Sequence, residues 1–213
     1  MIDKRNDNYI KNENPYEVYT GEGKTISNDL ISFYMQINQL KNLYRQGWIK
    51  ARIGIEHINK CESVAEHSFL LALLAMSIID KYKLEYDVNK CLKLSLVHEL
   101  GEIYAGDFIP MQNISKEEKH RLEDEAIKKV LSVLNFDNSY YDLWLEFENV
   151  SSKEAEFIKE LDGLEFILQG ACYNLDVEYL TYSRNKIKTP ILKEIVDELI
   201  TLTKGKTMPK QKG

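Results

Sequence analysis

Four residues of metal-binding type lie in stretches that otherwise read as apolar helix faces. They are His67 in SVAEHSF, the adjacent His98 and Glu99 in LSLVHELGEIYAGD, and Asp162 in FIKELDGLEF. A lone imidazole or ionised carboxylate turned into such a face is costly unless it is paired or bound to metal; leaving one partner of a buried pair costs roughly 3–5 kcal/mol. One shared divalent cation accounts for all four residues at once, and such a cation points to an enzyme. Two imidazoles and two carboxylates make a mixed nitrogen and oxygen set, which suits Mn, Fe, Co, Ni or Zn better than Ca. On a continuous helix the side chains of His98 and Glu99 diverge by about 100°, so one ion can take both only at the helix surface between them. Glu102, four residues after His98, shares its face and sets a further carboxyl beside the ion.

The elements that carry these residues read as helices. Leu30, Phe33, Tyr34, Ile37, Leu40 and Tyr44 follow a 3.6-residue stripe, and Gly47 is the expected stop. Ser63-Val64-Ala65-Glu66 is a capping box, so His67 falls in the first turns of a helix running to about Lys81. That helix is apolar nearly all round and is expected to be central. Asp87 caps a helix carrying CLKLSLVHELGEIYA, and a loop follows at Gly106-Asp107. Ser115-Lys116-Glu117-Glu118 opens an amphipathic helix to about Leu134. Tyr140 to Phe147 is a short aromatic helix, and Ser151-Ser152-Lys153-Glu154 opens another that runs past Asp162 to about Gly170. Thr189-Pro190 starts a last helix, with Gly205 at its expected C-terminal cap. No strand, hairpin or repeat is legible. The expected class is all-α, a compact bundle of about seven helices. Residues 1–26 form an N-terminal arm, 27–205 the helical domain and 206–213 a C-terminal tail.

Composition limits the partners. The net charge of -6 argues against an extended nucleic-acid or membrane surface, while leaving room for a small basic pocket. Cys61, Cys91 and Cys172 are scattered and form no CxxC, which fits reduced thiols in a cytoplasmic protein. No apolar run reaches the ~18 residues that a membrane span needs, and the polar N-terminus lacks a signal-peptide core.

The stretches LKNLYRQGW, ESVAEHSF, LVHELGEIYAGD, EEKHRLEDEA and EAEFIKELDGLEFILQ, in this order between about Leu40 and Tyr173, resemble the HD-domain metal-dependent phosphohydrolases. Within that family the chain is most similar to the 5'-deoxynucleotidase branch. The resemblance implies an all-helical fold, a divalent metal ion (Mn, Co, Zn, Fe, Ni or Mg), hydrolysis of nucleoside 5'-monophosphates and a homodimer. By position it implies His67, His98 and Asp162 as metal ligands. Glu99 stands where the family has the aspartate of its name, one methylene longer.

The same resemblance implies Glu102 as the proton-handling group beside the metal and Asp107 as a contact to the substrate or the attacking water. Arg45 is the first candidate for gripping phosphate, because a guanidinium holds two oxygens at once. Arg52 is the second, in a segment between Trp48 and Ser63 that is longer than expected; His57, in the same segment, is expected on the surface. Trp48 is a candidate wall for the sugar, or else a core anchor, and His120 is expected to be solvated. The alternatives are an HD-type phosphodiesterase or nucleotide triphosphohydrolase, or a helical metal-binding or interaction protein whose catalysis has lapsed.

Overall fold

The computed structural model describes residues 2–3, 8–9, 28–50, 61–109, 114–134, 139–175 and 184–203. Among the described residues the chain is all-α apart from a two-residue antiparallel ladder in the arm, where Ile2 pairs with Tyr9 and Asp3 with Asn8. Two-residue strands offer no alternation that a sequence could display. The helices are α1 (Asp29–Ile37), a 3-10 turn (Asn38–Lys41), α2 (Gln46–Lys50), α3 (Val64–Tyr82), α4 (Val88–Val97), α5 (Glu102–Ala105), α6 (Lys116–Leu131), α7 (Ser139–Asn149), α8 (Lys153–Cys172) and α9 (Pro190–Thr203). Two compact units result, residues 1–69 with 96–145, and 70–95 with 146–213.

Local hydrogen bonds set most helix starts. Ser63 Oγ accepts from Glu66 N at 3.2 Å while Glu66 Oε2 accepts from Ser63 N at 2.6 Å, the reciprocal box expected from the sequence. Asp87 caps Lys90 N, and Ser115 caps Glu118 N, each at 3.1 Å. The cap of α8 is Ser152, which accepts from Ala155 N at 3.1 Å, one residue beyond the expected Ser151.

In the first unit a buried cluster joins Leu40, Leu43, Val64, Val97, Leu100, Ile103, Ile127, Val130 and Trp144. The expected long helix through Tyr44 breaks early, and Gly47 lies inside α2 instead of ending a helix. The physical reason is tertiary. Val64 N donates to Leu43 O at 2.9 Å and Arg45 N to Glu62 O at 3.1 Å, so residues 43–45 leave the helix to pair with the entry to α3. This pairing holds Arg45 beside the helix that carries His67. Leu30 and Tyr34 of the expected stripe are exposed, and Phe33 and Ile37 pack on the cluster.

In the second unit, α8 and α9 pack together around buried Ile158, Leu161, Leu192 and Val196. Tyr86 stacks on Phe157 with ring centroids 4.2 Å apart. Lys90 bridges to Glu146 at 2.6 Å. α3 buries Leu71, Ala75, Ile78 and Ile79 but leaves Phe69, Leu70 and Leu73 exposed, so it is less enclosed than its all-round apolar pattern implies. Among the described residues, no helix is long and apolar enough to cross a membrane.

Candidate metal centre

The site of the first unit is built on the broken end of a helix. α4 stops at Val97, and His98 to Gly101 form a tight turn closed by Leu100 N to Val97 O at 3.0 Å and Glu102 N to Glu99 O at 3.0 Å. α5 then starts at Glu102. His98 and Glu99 are therefore not neighbours on one helix, and the divergence expected of them there is relieved by the turn. Gly101 permits this turn to lie against α6: a Cβ at 101 would fall 3.0 Å from Glu123 O and 3.3 Å from Glu123 Cβ.

Glu99 Oε1 lies 3.4 Å from His98 Nε2 and 3.9 Å from His67 Nε2, and the two rings meet edge to face with centroids 5.5 Å apart. Their three donor atoms lie within 4.8 Å of one another, and both histidines are buried. Ligand atoms at about 2.1 Å from a tetrahedral ion stand about 3.4 Å apart, so this nitrogen and oxygen set fits a divalent cation with small side-chain adjustments. The longer Glu99 side chain reaches the position that such a ligand needs.

Arg45 Nη1 donates to Glu99 Oε1 at 2.8 Å and lies 3.6 Å from Asp107 Oδ1. Burial works to raise the Glu99 carboxyl, but His98, Arg45 and His67 outweigh it and hold Glu99 well below the usual carboxylate range. Glu102 is driven the other way. Burial first, then the charges of Glu99 and Asp107, push its carboxyl well above the usual range, and it shares a hydrogen bond with Glu99. One environment thus drives the two neighbouring carboxyls in opposite directions. Glu102 Oε2 is buried with no hydrogen-bond partner among the described residues.

Gly106 has φ 86°, a conformation that favours glycine, and its N–H returns to Glu102 O at 2.8 Å. The reversal points Asp107 back at α2, where its Oδ2 accepts from Gln46 N at 2.5 Å. Burial raises the Asp107 carboxyl, with Arg45 opposing.

His67, His98, Glu99, Glu102, Asp107 and Arg45 thus converge within the first unit. Trp48 is 2% exposed and donates its indole N–H to Glu62 Oε1 at 2.7 Å, so it is anchored as a buried wall. Asp162 stands half-buried on α8, in the second unit. Arg52 and His57 lie outside the described residues, as does Gly205. His120, expected to be solvated, stacks on Trp144 at 5.3 Å. Sequence reading missed Lys119, whose Nζ is 3.2 Å from Glu123 Oε1. Its position four residues before a glutamate, on a helix opened by a capping box, was the available signal. It was lost among the many charges of α6.

Residues 37–199 match the model of a family described as HD domain. The chain belongs to the HD-domain family. Among its relatives is a Mus musculus protein named 5'-deoxynucleotidase HDDC2, 37% identical over 182 residues that cover 81% of this chain and 87% of that protein. A Xenopus laevis protein of the same name is 39% identical over 155 residues, 72% of this chain and 73% of that protein. A solved structure of a protein from Pyrococcus horikoshii OT3 is similar with a TM-score of 0.65 at 27% identity, covering 81% of this chain and 99% of that one. His98 and Glu99 lie within the matched residues 37–199.

Proposed function

We propose that this HD-domain protein is a metal-dependent phosphohydrolase that converts 2'-deoxynucleoside 5'-monophosphates to nucleoside and inorganic phosphate. The observation that carries the reading is the convergence of buried His67 and His98 with half-buried Glu99, with Glu102 beside them. The names of the curated relatives support the substrate class.

His67, His98 and Glu99 are the residues that would hold the ion. When bound, a divalent cation supplies Lewis acidity at the phosphate and lowers the pKa of water. The remaining chemistry belongs to side chains. Arg45 turns its guanidinium from Glu99 to the non-bridging oxygens, and Asp107, fixed by Gln46 N, orients the attacking water. The bond from phosphorus to the 5'-oxygen breaks as a bond from phosphorus to the water oxygen forms. Water gives up one proton and the 5'-oxygen gains one; Glu102 is the carrier. Trp48 is held in the core by Glu62, and Arg52 is proposed as a second phosphate contact. On composition and family resemblance we read the protein as a cytoplasmic homodimer.

A panel of deoxynucleoside and ribonucleoside 5'-monophosphates, assayed for orthophosphate with Mn, Co, Zn, Fe, Ni or Mg, tests the reading. Orthophosphate released preferentially from deoxynucleotides supports it. Tripolyphosphate from a triphosphate, or a linear nucleotide from a cyclic one, with no release from monophosphates, contradicts it.

A further inference from the structure

Lys119 stands on α6 one turn before Glu123, to which its Nζ bonds at 3.2 Å. Glu123 is the residue against which Gly101 packs, and Gly101 separates Glu99 from Glu102. This close approach lays the first turns of α6 along the turn that carries the carboxylates. Burial lowers the Lys119 pKa, but the neighbouring carboxylates, Glu123 foremost, outweigh it and raise it.

The two cations of the site differ in availability. The Arg45 side chain is 16% exposed and engaged by Glu99 and Asp107, whereas Lys119 keeps 40% of its side-chain surface open. Its tether to Glu123 is an i,i+4 helix pair, a weak bond that a better anion can displace. A dianionic phosphomonoester entering beside Glu99, Glu102 and Asp107 meets three carboxyls, so a cation besides the proposed ion and Arg45 favours its entry. A lysine is a compact, mobile point charge suited to that task.

We propose that Lys119 is a phosphate-binding residue of this site, its ammonium moving from Glu123 to a non-bridging oxygen of the bound phosphomonoester. The assignment rests on the phosphomonoesterase reading above and names a substrate contact that the sequence motifs did not mark.

The test compares Lys119→Met, Lys119→Arg and Glu123→Gln with the wild type, all metal-loaded. KM and kcat are read on a deoxynucleoside monophosphate, inorganic phosphate binding by calorimetry, and the fold by thermal melting. Lys119→Met should raise KM and weaken phosphate binding together, each by about 10- to 100-fold, the loss of one charge-assisted bond. Lys119→Arg should recover most of this, and Glu123→Gln should leave phosphate binding within a few-fold of wild type. Unchanged KM and phosphate affinity in a folded Lys119→Met protein would overturn the assignment. So would a Glu123→Gln protein that matches Lys119→Met, because the loss would then follow from the ion pair. If the wild type hydrolyses no monophosphate, the reaction above fails, and the phosphate titration still decides the role of Lys119.

Discussion

Arg45 and His98 both approach one atom, Glu99 Oε1. Glu99 Oε1 accepts from Arg45 Nη1 at 2.8 Å and lies 3.4 Å from His98 Nε2. The oxygen that would ligate the ion is the one that Arg45, the proposed phosphate contact, grips, so the proposed metal and substrate sites would be coupled through Glu99. Its extra methylene spans both partners. Glu99→Asp should therefore bring no large gain in activity, and its metal affinity should stay equal or fall by up to about 10- to 100-fold, the cost of disturbing a ligand's support. Metal titration and phosphate release check this. A large gain from a nearly inactive parent would show instead that Glu99 marks lapsed catalysis.

Glu102 lies beside Glu99 and has the proposed role of handling protons. Glu102→Ala should lose turnover by about 100- to 10,000-fold, the range of general acid–base contributions, while binding its metal normally. Elemental analysis and kcat on the same preparation separate the two properties. Wild-type turnover in this variant would remove the role assigned to Glu102.

Among the described residues, three helices end in Schellman turns without glycine. After α7, Val150 has φ 50°, with Val150 N donating to Phe147 O at 3.2 Å and Ser151 N to Glu146 O at 3.1 Å. Lys83 and Asn174 take the same conformation after α3 and α8. A β-branched residue is poorly suited to it, at a cost of roughly 1–2 kcal/mol. Val150 is 42% exposed, so little packing is lost on its removal. Val150→Gly should stabilise the protein by about 1 kcal/mol in chemical denaturation, with activity unchanged.

Glu146 reports on acid stability in the second unit. Burial raises its carboxyl, but hydrogen bonds from Lys90 and Ser152 and the Lys90 charge win, and it is held below the usual range. A lowered folded-state pKa stabilises above the unfolded value of about 4.3 and is lost as acid protonates the folded carboxyl. Glu146→Gln should cost about 1 kcal/mol or less at pH 7, since water screens the pair, and the difference from wild type should shrink as pH falls below about 4. Denaturation at several pH values measures this; a difference independent of pH would assign the effect to packing.

The contrast between what was legible and what was not follows from range. The caps at Ser63, Asp87 and Ser115 rest on bonds to residues three positions away, and local spacing displays them. The histidines and Glu99 were legible because a polar group on an apolar stripe is costly to bury without a partner or an ion. The ends at Lys83, Val150 and Asn174 were hidden because glycine, the usual sign of that conformation, is absent. The break before Arg45 depends on pairing with Glu62–Val64, and the Arg45 to Glu99 bond spans 54 positions. Neither leaves a periodic trace. His120 likewise needed the position of Trp144 before its stacking was visible.

The central claim is that the His67, His98 and Glu99 set holds an ion that hydrolysis of deoxynucleoside 5'-monophosphates requires. Metal content and phosphate release, measured on the same preparations of wild type and His98→Ala, test it most directly. The account predicts bound metal and metal-dependent release from the wild type, with both lost in His98→Ala while the fold melts normally. Wild-type release in the presence of chelator, or undiminished release by His98→Ala, would contradict it.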